Sequence, residues 1–136
     1  MNVKAVTPIL NVSDMQQSFS WFEKIGWKKS WAWGSPASFG GVCSGKNEIF
    51  ICLNGQGGRG KGSNHKTFNE KNGEVSDKGV WLSLWVDNVD IIYKDCVKQG
   101  IEIMHEPENM PWNVRELHIR HPDGHIFRVS QGIEKH

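Results

Sequence analysis

The chain has no strong charge of either sign, no long apolar run and almost no tyrosine. Sixteen Lys and Arg oppose fifteen Asp and Glu over 136 residues, a formal net charge of +1. Without a concentrated basic patch, a dedicated nucleic-acid surface is not expected. No apolar stretch approaches the ~20 residues that a membrane-crossing helix needs, and the N-terminus shows no charged-then-apolar leader. The expectation is a soluble, cytoplasmic chain that engages neither nucleic acid nor membrane. Cysteine is scarce as well. Cys43, Cys52 and Cys96 are odd in number and lack C-x-x-C spacing, which fits reduced thiols better than a disulfide framework.

Tryptophan is what the chain has in excess: seven, against a single tyrosine. Large aromatics at that density either fill a core or wall a ligand site. The length suffices for one compact domain that buries its own core.

Alternation and turn residues divide the chain. Val6–Val12 reads as a strand, and Ser13 followed by Gln16 as a capping box. Met15, Phe19, Phe22 and Ile25 fall at helical spacing before a glycine stop at Gly26. Trp27–Gly34, Ala37–Ser44 and Asn47–Asn54 read as strands between Gly/Ser/Pro turns. Residues 55–78 are nearly devoid of apolar side chains and read as a polar loop. The pattern then restarts: strand Val80–Val86, a helix from about Asn88 to Gln99, Gly100, and strands over 101–106, 114–120 and 125–130. Val12 to Gly26 and Val86 to Gly100 both span 14 positions, offset by 74 (12 to 86, 26 to 100). One domain thus consists of two β-α-β-β-β modules, about 3–54 and about 79–132, joined by the 55–78 loop.

The last hairpin is the most distinctive stretch. Pro122-Asp123-Gly124 makes a turn between runs that send Leu117, Ile119, Phe127 and Val129 to one face. The other face receives Glu116, His118, Arg120, Arg128 and Ser130. This stretch, ending HPDGHIFRVSQ, resembles the final hairpin of the glyoxalase / bleomycin resistance / extradiol dioxygenase superfamily, the vicinal oxygen chelate fold. There a D-P-D-G turn precedes the strand; here His121 stands in place of the first Asp. Two tandem modules are also that superfamily's architecture, so the resemblance extends over nearly the whole chain, and it is strongest to the bleomycin-resistance-like branch. It implies an α+β fold with a curved mixed sheet and a cleft, and short chains that pair as homodimers.

Strand alternation assigns the cleft face without the resemblance. Trp81, Ser83 and Trp85 oppose Val80, Leu82, Leu84 and Val86; Phe50, Cys52 and Glu48 oppose Ile49, Ile51 and Leu53; Ile126, Arg128 and Ser130 oppose Phe127 and Val129. Thr7, Ile9 and Asn11 join from the first strand, Trp31 and Trp33 from the second. The expected ligand-binding residues are Trp31, Trp33, Phe50, Cys52, Trp81, Trp85, Trp112, Glu116, His118 and Arg128. Aromatic walls with a few placed polar groups suit a small organic ligand.

In metal-dependent members of the superfamily, ligands come from the first, fourth, fifth and last strands. The resemblance carries these positions onto Thr7, Cys52, Trp81 and Arg128. None is a good ligand for a hard cation, and the guanidinium of Arg128 stays protonated. No cofactor is therefore expected, and the function expected is non-catalytic binding of a drug or metabolite. The alternative is a divalent-metal-dependent lyase, isomerase or dioxygenase with a relocated site drawn from Glu48, Cys52, Glu116, His118 and His125. The plainer reading makes Glu116 and Arg128 a cross-strand pair, with His118, His121 and His125 solvated. Gly55–Gly60 matches G-x-G-x-x-G, but no helix start follows it, so a phosphate-binding loop is not expected. The loop reads either as a connector between the modules or as a flap near the cleft, to which Arg59, Lys61 and Lys66 would give a positive rim.

Overall fold

The computed structural model of the protein describes residues 1–53 and 79–133. The 55–78 loop, with its glycine motif and with Arg59, Lys61 and Lys66, lies outside the described residues. Among the described residues, two helices and eight strands follow one another as β1 (Ile9–Val12), α1 (Met15–Lys24), β2 (Lys28–Trp33), β3 (Phe39–Ser44), β4 (Asn47–Leu53), β5 (Trp81–Trp85), α2 (Val89–Lys98), β6 (Glu102–Met110), β7 (Val114–Arg120) and β8 (Ile126–Gly132). Each module forms its own four-stranded mixed sheet, ordered β1-β4-β3-β2 and β5-β8-β7-β6. The α+β class and the tandem modules are as the sequence implies, with two sheets rather than one continuous curve. Among the described residues, no helix is long and apolar enough to cross a membrane.

The duplication is visible in the helices. Met15–Lys24 and Val89–Lys98 are related by the same 74-position offset (15 to 89, 24 to 98). Asp14 caps α1 by accepting from the Gln17 N–H, and Asn88 caps α2 by accepting from the Ile91 N–H, each satisfying a donor that a helix start leaves open. The expected capping box at Ser13 is displaced by one residue, because the Ser13 N–H is drawn away to Asp123 Oδ2 at 2.9 Å. Both helices end the same way. Gly26 and Gly100 adopt left-handed backbone (φ 91 and 73), which glycine accepts at no steric cost. The next residue then reaches back five positions: Trp27 N–H to Phe22 O, and Ile101 N–H to Cys96 O. This double closure is a Schellman motif, and Trp27 completes it by packing on Phe22 with ring centroids 5.9 Å apart.

The helix-facing sides of both sheets share one core. Leu10, Val42, Ile49 and Ile51 of the first module join Leu117, Ile119, Phe127 and Val129 of the second in a single cluster. Trp21 and Phe22 of α1 lie 5.3 Å and 5.8 Å from Phe127, centroid to centroid. Phe22 and Phe127 are fully buried, so truncating either to alanine is expected to cost roughly 3–5 kcal/mol. Cys96 lies in this core, where burial pushes its thiol up to about 11.

The turn between β7 and β8 stitches the modules together, and here the expectation of solvated histidines fails. His121 and His125 are buried, at 1% and 0% exposure. His121 Nδ1 accepts from the Asp123 N–H at 3.0 Å, so its Nε2–H donates to Ser18 Oγ of α1 at 2.8 Å. His125 Nδ1 accepts from the Val80 N–H at 3.0 Å, and its Nε2–H donates to the Asn11 carbonyl at 2.7 Å. Each ring is neutral with both nitrogens used. Burial, the main cause, holds both imidazoles below their ordinary value. His125 is thereby removed from any cleft-facing ligand set.

Candidate functional site

The second sheet presents the side chains that matter most. In the parallel β5–β8 ladder, Ser83 is the partner of Arg128. In the antiparallel β7–β8 ladder, His118 is the partner of Arg128 and Glu116 the partner of Ser130. Period-2 alternation therefore puts Trp81, Ser83 and Trp85 beside Arg128 on one face, with Glu116 and His118 on its other side. Trp81 and Trp85 are exposed, at 58% and 68%.

Glu116 is the centre of this face and is buried to 1%. Its Oε1 receives Arg128 Nε at 3.0 Å and His118 Nε2 at 3.1 Å. Its Oε2 receives Arg128 Nη2 at 2.7 Å and Trp112 Nε1 at 2.7 Å. Four donors fill the four lone-pair positions that a carboxylate offers. The Arg128 hydrogen bonds are the largest cause holding the Glu116 carboxyl down at about 2. The expected cross-strand pair is thus present, as a two-pronged bond joined by an imidazole and an indole. His118 in turn meets the edge of Trp81 at 5.4 Å and tilts against His105 at 5.0 Å. His105 was not among the expected site residues. A register shift in β6 between Ile103 and His105 breaks the alternation that would have pointed to it.

The first sheet carries a separate aromatic cluster. Trp31 stacks on Phe39 at 5.3 Å and 18°, and Phe50 meets both rings edge-on. Trp31 Nε1 and Ser30 Oγ donate to Glu48 Oε2, both at 3.0 Å. Gly41 makes this possible, since a Cβ there would collide with the Trp31 indole nitrogen and the Glu48 carboxylate. A glycine inside a strand pattern signals such close approach, and Phe39 and Gly41 were missed for want of that reading. Trp33 stands exposed beside the cluster.

The expected residues therefore separate. Trp81, Trp112, Glu116, His118 and Arg128 come together; Trp31 and Phe50 come together elsewhere. Trp85 also lines a cleft of ≈ 670 Å³ that reaches Thr7, Glu48, Ser83 and the buried Trp27, within the size range of small-molecule sites. Cys52 departs from expectation. It is buried beside Asn11, with Sγ 3.9 Å from Asn11 Oδ1, and offers no open surface. Ladder register explains the shift: Ile9 pairs with Phe50 as Ser83, 74 positions later (9 to 83), pairs with Arg128, so Phe50 and not Cys52 is the first module's counterpart of Arg128. Among the described residues, no three His, Cys, Asp or Glu side chains form a group able to hold a metal ion.

The sequence model of the Glyoxalase/Bleomycin resistance protein/Dioxygenase superfamily matches residues 4–129. The chain belongs to that superfamily. No curated protein sequence matches it. Among solved structures it is similar to a bleomycin-binding protein complexed with bleomycin (18% identity, 96% of this chain and 99% of the other covered, TM-score 0.66). It is also similar to a bleomycin resistance determinant encoded on the transposon Tn5 (17%, 96% and 98%, TM-score 0.70), and to TioX from Micromonospora sp. ML1 (16%, 96% and 100%, TM-score 0.71). At these identities the likeness establishes the fold.

Proposed function

We propose that this member of the superfamily is a non-catalytic binding protein for a small organic molecule, held by stacking on the tryptophan face of the second sheet. Arg128, Glu116 and His118 set the ligand's orientation. The observation that carries the reading is a fully buried, ionised Glu116 tied to four donors beneath exposed indoles. A buried charge of this kind is weak as a source of stability, whereas a locked polar group beside flat apolar walls is what positions a ligand. A structural neighbour in complex with bleomycin is a precedent for a small organic ligand on this fold.

The reading includes no resident metal. A metal-dependent lyase, isomerase or dioxygenase built on Glu116 would first have to strip Arg128 or Trp112 from its oxygens. It also includes a homodimer, supported by Trp33, which is exposed in the single chain outside the second-sheet face that holds the ligand. A reducing, cytoplasmic setting suits the free Cys43 and Cys96 thiols. The test is a thermal-shift screen of the purified protein against aromatic metabolites and drugs. A true ligand raises Tm in proportion to RT ln(1 + [L]/Kd), and Trp81→Ala abolishes the shift. A hit whose shift survives Trp81→Ala would move the site elsewhere.

A further inference from the structure

The hydrogen-bond saturation of Glu116 also constrains the chemistry of the ligand; this step rests on the binding reading above. The carboxylate looks like a receptor for a cation, yet both of its oxygens are already filled by Arg128, His118 and Trp112. Arg128 spends Nε and Nη2 on that bond, and none of the described residues accepts from its Nη1. Its side chain is still 36% exposed. The guanidinium cannot shed its proton, so its outer edge offers N–H donors and a positive charge toward the open face. Ser83, its ladder partner and itself exposed, adds a hydroxyl. Trp81 and Trp85 stand two residues to either side of Ser83 on the same face.

We infer that this face recognises a planar aromatic anion. Its carboxylate or similar oxyanion lies on the outer edge of Arg128 and the Ser83 hydroxyl, and its ring lies against Trp81 or Trp85. The fork geometry of arginine matches such oxyanions. An aromatic cation would meet the guanidinium with no carboxylate lone pair open to answer it.

The experiment is a tryptophan-fluorescence titration of the full chain with three matched probes: 2-naphthoate, 2-naphthylmethylammonium and 2-naphthalenemethanol. The naphthoate is expected to bind at least about tenfold more tightly than the ammonium, with a preference that shrinks as salt rises. Arg128→Gln should erase the preference. Because Arg128→Gln also unsettles the buried Glu116, Ser83→Asp serves as a second variant: it leaves the Glu116 cluster intact, sets a carboxylate beside the guanidinium and should likewise erase the preference. Equal or tighter binding of the ammonium by the unaltered protein overturns the inference and leaves the binding reading standing. So does a naphthoate preference that survives both variants. Absence of saturable binding by any probe overturns the inference and the binding reading together.

Discussion

Arg128→Gln should destabilise the fold through Glu116 rather than through lost packing, and a double-mutant cycle can show it. Removing one partner of a buried ion pair costs roughly 3–5 kcal/mol when both groups are buried. Here Glu116 is buried, but Arg128 is 36% exposed, so solvent screens part of the interaction and about 2 kcal/mol is the expected loss at neutral pH. Glu116→Gln alone leaves Arg128 able to reach water and should cost less. The double variant should recover at least about 1 kcal/mol relative to the sum of the singles. Urea unfolding followed by far-UV circular dichroism gives all four stabilities. A pH series sharpens the test. Glu116 has its folded pKa depressed to about 2 from 4.5. The pair's stabilisation is therefore complete above pH 4.5 and is lost as pH falls toward 2. Arg128→Gln should accordingly lose less stability at pH 4 than at pH 7, because a Glu116 without its guanidinium takes up a proton. Additivity of the two singles within about 0.5 kcal/mol, or a pH-independent cost, would refute the reasoning.

Three further outcomes are expected. The neutral His121 and His125 have depressed folded values, so their contribution is full above the ordinary histidine value near 6.5 and declines as pH falls below it; the urea midpoint should drop between pH 7.5 and 5.5, and a flat midpoint would mean that the inter-module histidines are not held neutral. Trp81→Ala should leave stability within about 1 kcal/mol, since the ring is 58% exposed, while weakening ligand binding at least about tenfold; a large Tm loss with intact affinity would make Trp81 structural. Purified, untagged protein dialysed against Ni²⁺, Zn²⁺, Mn²⁺ or Fe²⁺ should retain no stoichiometric metal by elemental analysis, and close to one tightly held ion per chain would revive the enzyme reading.

Much of the fold is legible in the sequence because its signals are local and repeated. The 74-residue offset, the glycine after each helix and the period-2 strands each act within a few residues, and together they specify the two modules. Strand β6 runs to Met110, past the end expected near residue 106, because an edge strand tolerates Pro107 and can bulge. The histidines of the turn were misplaced for a different reason. Their burial depends on the Asn11 carbonyl and the Ser18 hydroxyl, more than a hundred positions away, and no local pattern reports such a partner. The Glu116–Arg128 pair could be read from cross-strand register. Trp112 was expected on the ligand face, but its bond to Glu116 could not be read from register, since Asn113 holds left-handed backbone (φ 65) and breaks the alternation on which the face assignment relies.

The most direct test of the account is a ¹H–¹⁵N spectrum of the seven indole N–H groups during titration with the best ligand from the screen. The account predicts saturable shifts of Trp81, Trp85 and Trp112, with Trp21, buried at 6% exposure, left in place. Shifts confined to Trp31 and Trp33, or spread evenly over all seven, would contradict a site on the second sheet.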